Sequence, residues 1–218
     1  MSNSVDEKTS AEKADIELDT SGSHGSMHNK MKQLLASFSA LDYISPLEIP
    51  NIDLYIEQVT SFLDNELASA RRTPDDKTLT KTMINNYTKN HVLPAPVKKK
   101  YSRDHVLTLI LIYYFKNFLS IKDVKAIFDP ITEKYFGSEE DFNMYNVYEH
   151  LVDMVSAQSD ATIRDLVKKY DTSMETFANI DASPEDVEML QQFGFICMLA
   201  FDVYVKKMLI EELIDMSN

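Results

Sequence analysis

The sequence predicts an all-α protein with at most one short β-ribbon, near residues 93–101. Three observations carry that expectation. From Lys30 onward, apolar residues recur at the three- and four-residue spacing of helical faces. Helix-starting residues (Ser, Thr, Asn, Asp) stand ahead of most of those faces. Of only four glycines, Gly22 and Gly25 lie in the N-terminal stretch and leave Gly137 and Gly194, so tight primed hairpin turns are not expected.

The elements follow in order. Met1 to His28 is acidic, polar and nearly free of apolar side chains, and reads as a disordered tail. Its His24 and His28 stand four apart, but nothing helical would hold them on a metal. Met31, Leu34, Leu35 and Phe38 form a first helical face. After Pro46 and Pro50, Asn51 or Asp53 is expected to cap a helix whose stripe is Leu54, Ile56, Val59, Phe62, Leu63 and Leu67. A polar connector, Arg71–Thr78, leads to a short helix over Lys81–Lys89, capped by Thr78 or Thr80.

Pro94 and Pro96 then force an extended path. A strongly apolar helix runs from Asp104 to about Phe118 behind Ser102 and is expected to be core. Ser120 opens another helix, expected to end near Phe128 with Pro130 as its stop. Three more are expected: Glu139–Ala157 with three acids in its first turn, Ala161–Tyr170, and Pro184 to about Met216, which Gly194 would bend.

Composition excludes several functions. The lone Cys197 rules out a disulfide framework and a thiolate metal cage. The acidic N-terminus is neither a signal nor a transit peptide. The apolar runs Val106–Phe115 and Phe193–Val205 fall short of the roughly 20 residues of a membrane span, so a cytoplasmic location without membrane contact is expected. Two glycines beyond the tail cannot build a phosphate-cradling loop. No nucleophile elbow, His-Glu-x-x-His or supported Cys–His pair occurs. Neither an enzyme, a cofactor nor a metal site is expected, and no catalytic residue is assigned.

Charge is segregated. The net charge is −13. Yet residues 71–125 hold 12 basic and 4 acidic side chains, whereas 1–70 hold 4 and 12, and 126–218 hold 6 and 19. Within the basic block, Met83, Ile84 and Tyr87 can seat the 81–89 helix on the domain while Lys81, Thr82, Asn85, Asn86, Lys89 and Asn90 project outward. Asn suits the edge of adenine, and Lys suits guanine or phosphate. Lys98, Lys99 and Lys100 follow on extended chain, then Tyr101 and Arg103.

This order resembles the DNA-binding domain of the MerR family of winged helix–turn–helix regulators. Ile84-Asn85-Asn86-Tyr87 stands at the recognition-helix motif. His91–Pro96 stands at the turn, Lys98–Ser102 at the wing, and Phe118–Ile121 at the start of the last helix. Asn85-Asn86 replace an Arg-Tyr pair, and His91 replaces a glycine. The segment is also similar to an uncharacterised bacterial family, a domain of unknown function, with an acidic helical C-terminal half. The resemblance implies a DNA-binding domain over 29–130 and an acidic regulatory or dimerisation region over 131–218. It further implies duplex DNA as partner and a homodimer presenting two recognition helices, with no effector named. DNA contacts are then expected from Lys81, Thr82, Asn85, Asn86, Lys89, Lys98, Lys99, Lys100, Tyr101 and Arg103. The alternative is a non-catalytic protein–protein interaction module that reuses the same fold.

Overall fold

The computed structural model describes residues 30, 31, 33, 34, 43–73 and 75–217. The expected tail over 1–28 and half of the first helical face, Leu35 and Phe38, lie outside the described residues. The architecture is mostly helical with one small antiparallel sheet. A 3-10 turn, Pro46–Glu48, comes first. Strand β1 (Leu54–Tyr55) and helix α1 (Ile56–Glu66) follow, then α2 (Lys81–Lys89), β2 (Lys100–Tyr101), α3 (Arg103–Phe115) and α4 (Ile121–Tyr135). Helices α5 (Met144–Ser156), α6 (Ser159–Thr176) and α7 (Pro184–Met216) complete the chain.

Helix α3 is the centre. Val106, Leu107, Leu109, Ile110 and Ile112 are all fully buried, so it is apolar on every side and the other elements wrap it. Ile84 and Tyr87 of α2, Val124 and Phe128 of α4, and Met144 and Tyr148 of α5 belong to the same core. That core therefore runs past residue 130. Tyr148 is locked in place by its hydroxyl, which donates to the Ile44 carbonyl at 2.8 Å. A second, smaller core joins Met31, Tyr170 and Phe195, where α6 and α7 lie together.

Several boundaries differ from expectation, each for a physical reason. Leu54 is a strand residue: Leu54 pairs with Tyr101 and Tyr55 with Lys100. Helix α1 thus begins only at Ile56, with Gln58 Oε1 accepting the Tyr55 N–H. Pro130 lies inside α4 rather than ending it. A proline there forgoes one backbone bond and costs about 3 kcal/mol, but Phe128 and Ile131, on either side of it, pack on the core. Helix α4 ends instead at Tyr135, and Gly137 (φ 66) turns the chain beyond it, its N–H donating to Asp104 Oδ2 at 2.7 Å.

Helix α5 begins at Met144 rather than at the expected Glu139, capped by Asn143, whose Oδ1 accepts the Tyr145 N–H at 3.0 Å. Glu139, Glu140 and Asp141 are therefore exposed loop residues, not a first turn. Helix α6 extends six residues beyond its expected end, because Tyr170 and Ser173 are buried. Gly194 leaves α7 unbroken. Its role is close approach, since a Cβ there would stand 2.7 Å from the Phe177 ring.

Candidate nucleic-acid interface

Helix α2 is the first part of the interface. Thr80 caps it by accepting the Met83 N–H at 3.2 Å. Ile84 and Tyr87 are buried, while Lys81, Thr82, Asn85, Asn86, Lys89 and Asn90 are exposed. The burial matches the expected division into a seated and an outward face. The Asn90 amide donates to Asn86 Oδ1 at 2.9 Å and to the Asn86 carbonyl at 2.8 Å, fixing the Asn86 side chain on the helix surface.

The end of α2 is a Schellman motif. The His91 N–H donates to Thr88 O at 3.1 Å and the Val92 N–H to Tyr87 O at 2.9 Å. His91 occupies the left-handed position (φ 56) that glycine usually fills. Val92 and Leu93 then drop into the core. The chain is thereby aimed straight from α2 into the hairpin.

The hairpin is the second part. Val97 and Lys100 form a bridge, and Lys98 (φ 51) and Lys99 (φ 66) are both left-handed between them. These are the dihedrals of a type I′ turn, built here without glycine. The expectation that primed turns are unavailable is thus overturned. The backbone conformation is enforced by pairing on both sides: the bridge at the tip, and the ladder to β1 behind it. Lys98 and Lys99 are exposed, and the Lys100 ammonium lies 5.7 Å from the centre of the Tyr55 ring.

Two of the expected contact residues serve the scaffold. Tyr101 is 3% exposed, and its hydroxyl meets Thr88 of α2. Burial pushes that phenol up. Tyr101 therefore ties hairpin to helix. Arg103 Nη2 donates to the Pro46 carbonyl at 2.5 Å, and its guanidinium sits 4.1 Å from the Tyr145 ring centre. It stitches α3 to the 3-10 turn and to α5. Lys81 is exposed but holds Glu57 at 2.7 Å, and this hydrogen bond lowers the Glu57 carboxyl below its usual range.

Behind the hairpin, His105 is 2% exposed. Its ring stands edge-on to Tyr101 and Phe136, with centroids at 5.3 and 4.7 Å. Nδ1 accepts the Ser102 N–H at 2.9 Å and so caps α3. Burial lowers the imidazole pKa, against smaller opposing effects of the Ala95 and Pro94 carbonyls, Asp104 and Asp53.

Asn90, expected on the outward face, is legible as an i, i+4 partner of Asn86. Glu57 is not legible as the partner of Lys81, because 24 residues separate them. Beside α2 lies a groove of about 380 Å³, lined by Met83, Asn86, Tyr87, Asn117 and Ile121 among others. Among the described residues no cluster of three or more His, Cys, Asp or Glu could hold a metal ion. No described helix is long and apolar enough to cross a membrane.

Residues 44–151, which span the first core from Ile44 through α5's first two turns, match the family described as "Domain of unknown function (DUF1836)". Neither a curated protein nor a solved structure matches the chain.

Proposed function

We propose that this protein is a non-catalytic DNA-binding regulator of transcription, in which α2 reads the major groove and the Lys98–Lys99 tip grips the phosphate backbone. The observation that carries this reading is the pairing of two exposed polar devices on one rigid frame. Helix α2 keeps Asn85, Asn86 and Lys89 exposed over a buried Ile84 and Tyr87, and runs directly into a lysine-tipped hairpin. The order strand, helix, helix, hairpin, helix, helix supports the winged helix–turn–helix resemblance. The contact set narrows to Lys81, Thr82, Asn85, Asn86, Lys89, Lys98, Lys99 and Lys100, with Tyr101 and Arg103 as supports.

Base discrimination falls to the asparagines, because an Asn amide matches the donor and acceptor edge of adenine. Orientation falls to the lysines, which contact phosphates without reading sequence. With about four to six phosphates neutralised, the logarithm of affinity falls against the logarithm of salt with a slope near −4 to −5. Affinity then drops roughly two to three orders of magnitude between about 50 and 200 mM salt. The test is a fluorescence titration of the full chain with randomised duplex at those two concentrations. The reading fails if no duplex binds at low salt, or if binding ignores salt.

A further inference from the structure

The groove beside α2 joins an apolar wall to polar groups whose bonding capacity the fold leaves unused. It lies between α2, the loop after α3 and the first turn of α4. Met83, Leu119, Ile121 and Val124 form the wall, and Asn86, Tyr87, Lys116 and Asn117 bring the polar groups. Tyr87 is 5% exposed, yet its hydroxyl hydrogen-bonds to none of the described residues. A buried phenol ordinarily finds a partner, because an unmade hydrogen bond costs its desolvation.

Lys116 is the charged member. Its ammonium is half-buried, donates to the Thr78 carbonyl at 3.0 Å and lies 5.1 Å from the centre of the Tyr113 ring. It pairs with no carboxylate among the described residues. Burial lowers the Lys116 pKa, and no nearby acid opposes that shift. One N–H serves Thr78, so two remain. Asn86 commits Oδ1 to the Asn90 amide and keeps its own NH2. Asn117 spends its NH2 on the Tyr113 carbonyl at 3.2 Å and keeps Oδ1. The spare capacity is therefore cationic and rich in donors. Asp123, in the same turn of α4 as Ile121, turns its carboxylate to the Ser120 hydroxyl at 2.6 Å and does not line the groove.

We propose that this groove binds a small apolar monocarboxylate, its carboxylate on the Lys116 ammonium and the Tyr87 hydroxyl and its hydrocarbon body against Met83, Ile121 and Val124. An anion supplies what both polar groups lack: a counter-charge for Lys116 and an acceptor for Tyr87. Only one lining residue is charged, so the site suits a single negative charge. A volume of about 380 Å³ stands at the small end of ligand cavities and suits one ring or a short chain. The site stands independently of whether α2 reads DNA.

The test is isothermal titration calorimetry of the full chain with benzoate. Benzoate should bind with a Kd on the order of 0.1–1 mM. Benzyl alcohol, of similar bulk but uncharged, should bind on the order of tenfold more weakly. Lys116→Met should erase that preference, and Tyr87→Phe should weaken benzoate by roughly three- to tenfold. Ile121→Glu places a like charge on the wall, at a first helical position where an acid is favourable. That chain should keep its helical circular dichroism and lose benzoate. The proposal is overturned if benzoate gives no saturable heat up to about 5 mM, or if benzyl alcohol binds as well as benzoate. It is overturned equally if Lys116→Met or Ile121→Glu, folded by circular dichroism, binds benzoate like the wild type.

Discussion

Val97 and Lys100 bond each other in both directions, N–H to carbonyl, at 3.1 and 2.9 Å. Between them two lysines are held left-handed, where an L side chain costs roughly 1–2 kcal/mol each. Asn-Gly satisfies the same turn without that cost. A sequence chosen for stability alone would not place Lys-Lys there, so strain and charge coincide at the tip.

Replacing Lys98-Lys99 by Asn-Gly should therefore separate stability from binding. The expected outcome is a gain of about 1–2 kcal/mol in urea denaturation, from the relieved backbone. DNA affinity should fall, with the salt slope shallower by about 2, because two phosphate contacts are gone. A stabilised variant with unchanged DNA affinity would remove the tip from the interface.

The Asn85 side chain is exposed and hydrogen-bonds to none of the described residues, whereas the Asn86 side chain is anchored by Asn90. Asn85→Ala should cost about 1–3 kcal/mol on a selected duplex and little on random DNA, because only a base-reading contact distinguishes them. Lys89→Ala should weaken both alike and reduce the salt slope by about 1. Competition titrations against both duplexes measure the difference. Equal losses for Asn85→Ala on both would assign it to the backbone instead.

How much was legible in the residues depends on range. Helix α2 and the start of α7 are visible because local signals agree: Thr80 before a half-polar turn, Ser183-Pro184 before a long apolar run. The outward set Asn85, Asn86 and Lys89 follows from the same local period. The Leu54–Tyr101 pairing was not visible, since its partners lie 47 residues apart and each strand has two residues. Pro130 misled because a local rule met a tertiary counterweight in Phe128 and Ile131. A basic, aromatic neighbourhood such as that of Tyr101 and Arg103 looks alike in sequence whether it faces a duplex or braces the frame behind it.

Tyr148 tests how far the domain extends. Its hydroxyl is the buried partner of the Ile44 carbonyl, and both residues are at most 3% exposed. Burial pushes that phenol well above its ordinary range, so the donor stays protonated at any physiological pH. Tyr148→Phe leaves the carbonyl unpaired and should cost about 1–3 kcal/mol with unchanged denaturant slope. A negligible loss would mean that residues 43–49 are not integral to the domain.

His105 gives the frame a defined acid response. Its Nδ1 must be unprotonated to accept the Ser102 N–H, and burial keeps the folded imidazole neutral. The folded pKa is thus below the unfolded value of about 6.5. Above that pH both states are neutral and stability is full. As pH falls through about 6.5 the unfolded chain takes the proton first, so stability declines until the folded pKa is reached, by at most about 1.4 kcal/mol per pH unit from this residue. Gln at the same position can accept the Ser102 N–H without titrating, as in a capping box. The His105→Gln chain should therefore lose less stability than wild type between about pH 7.5 and 5.5 in urea melts. Parallel stability curves for the two chains would remove His105 from the acid response.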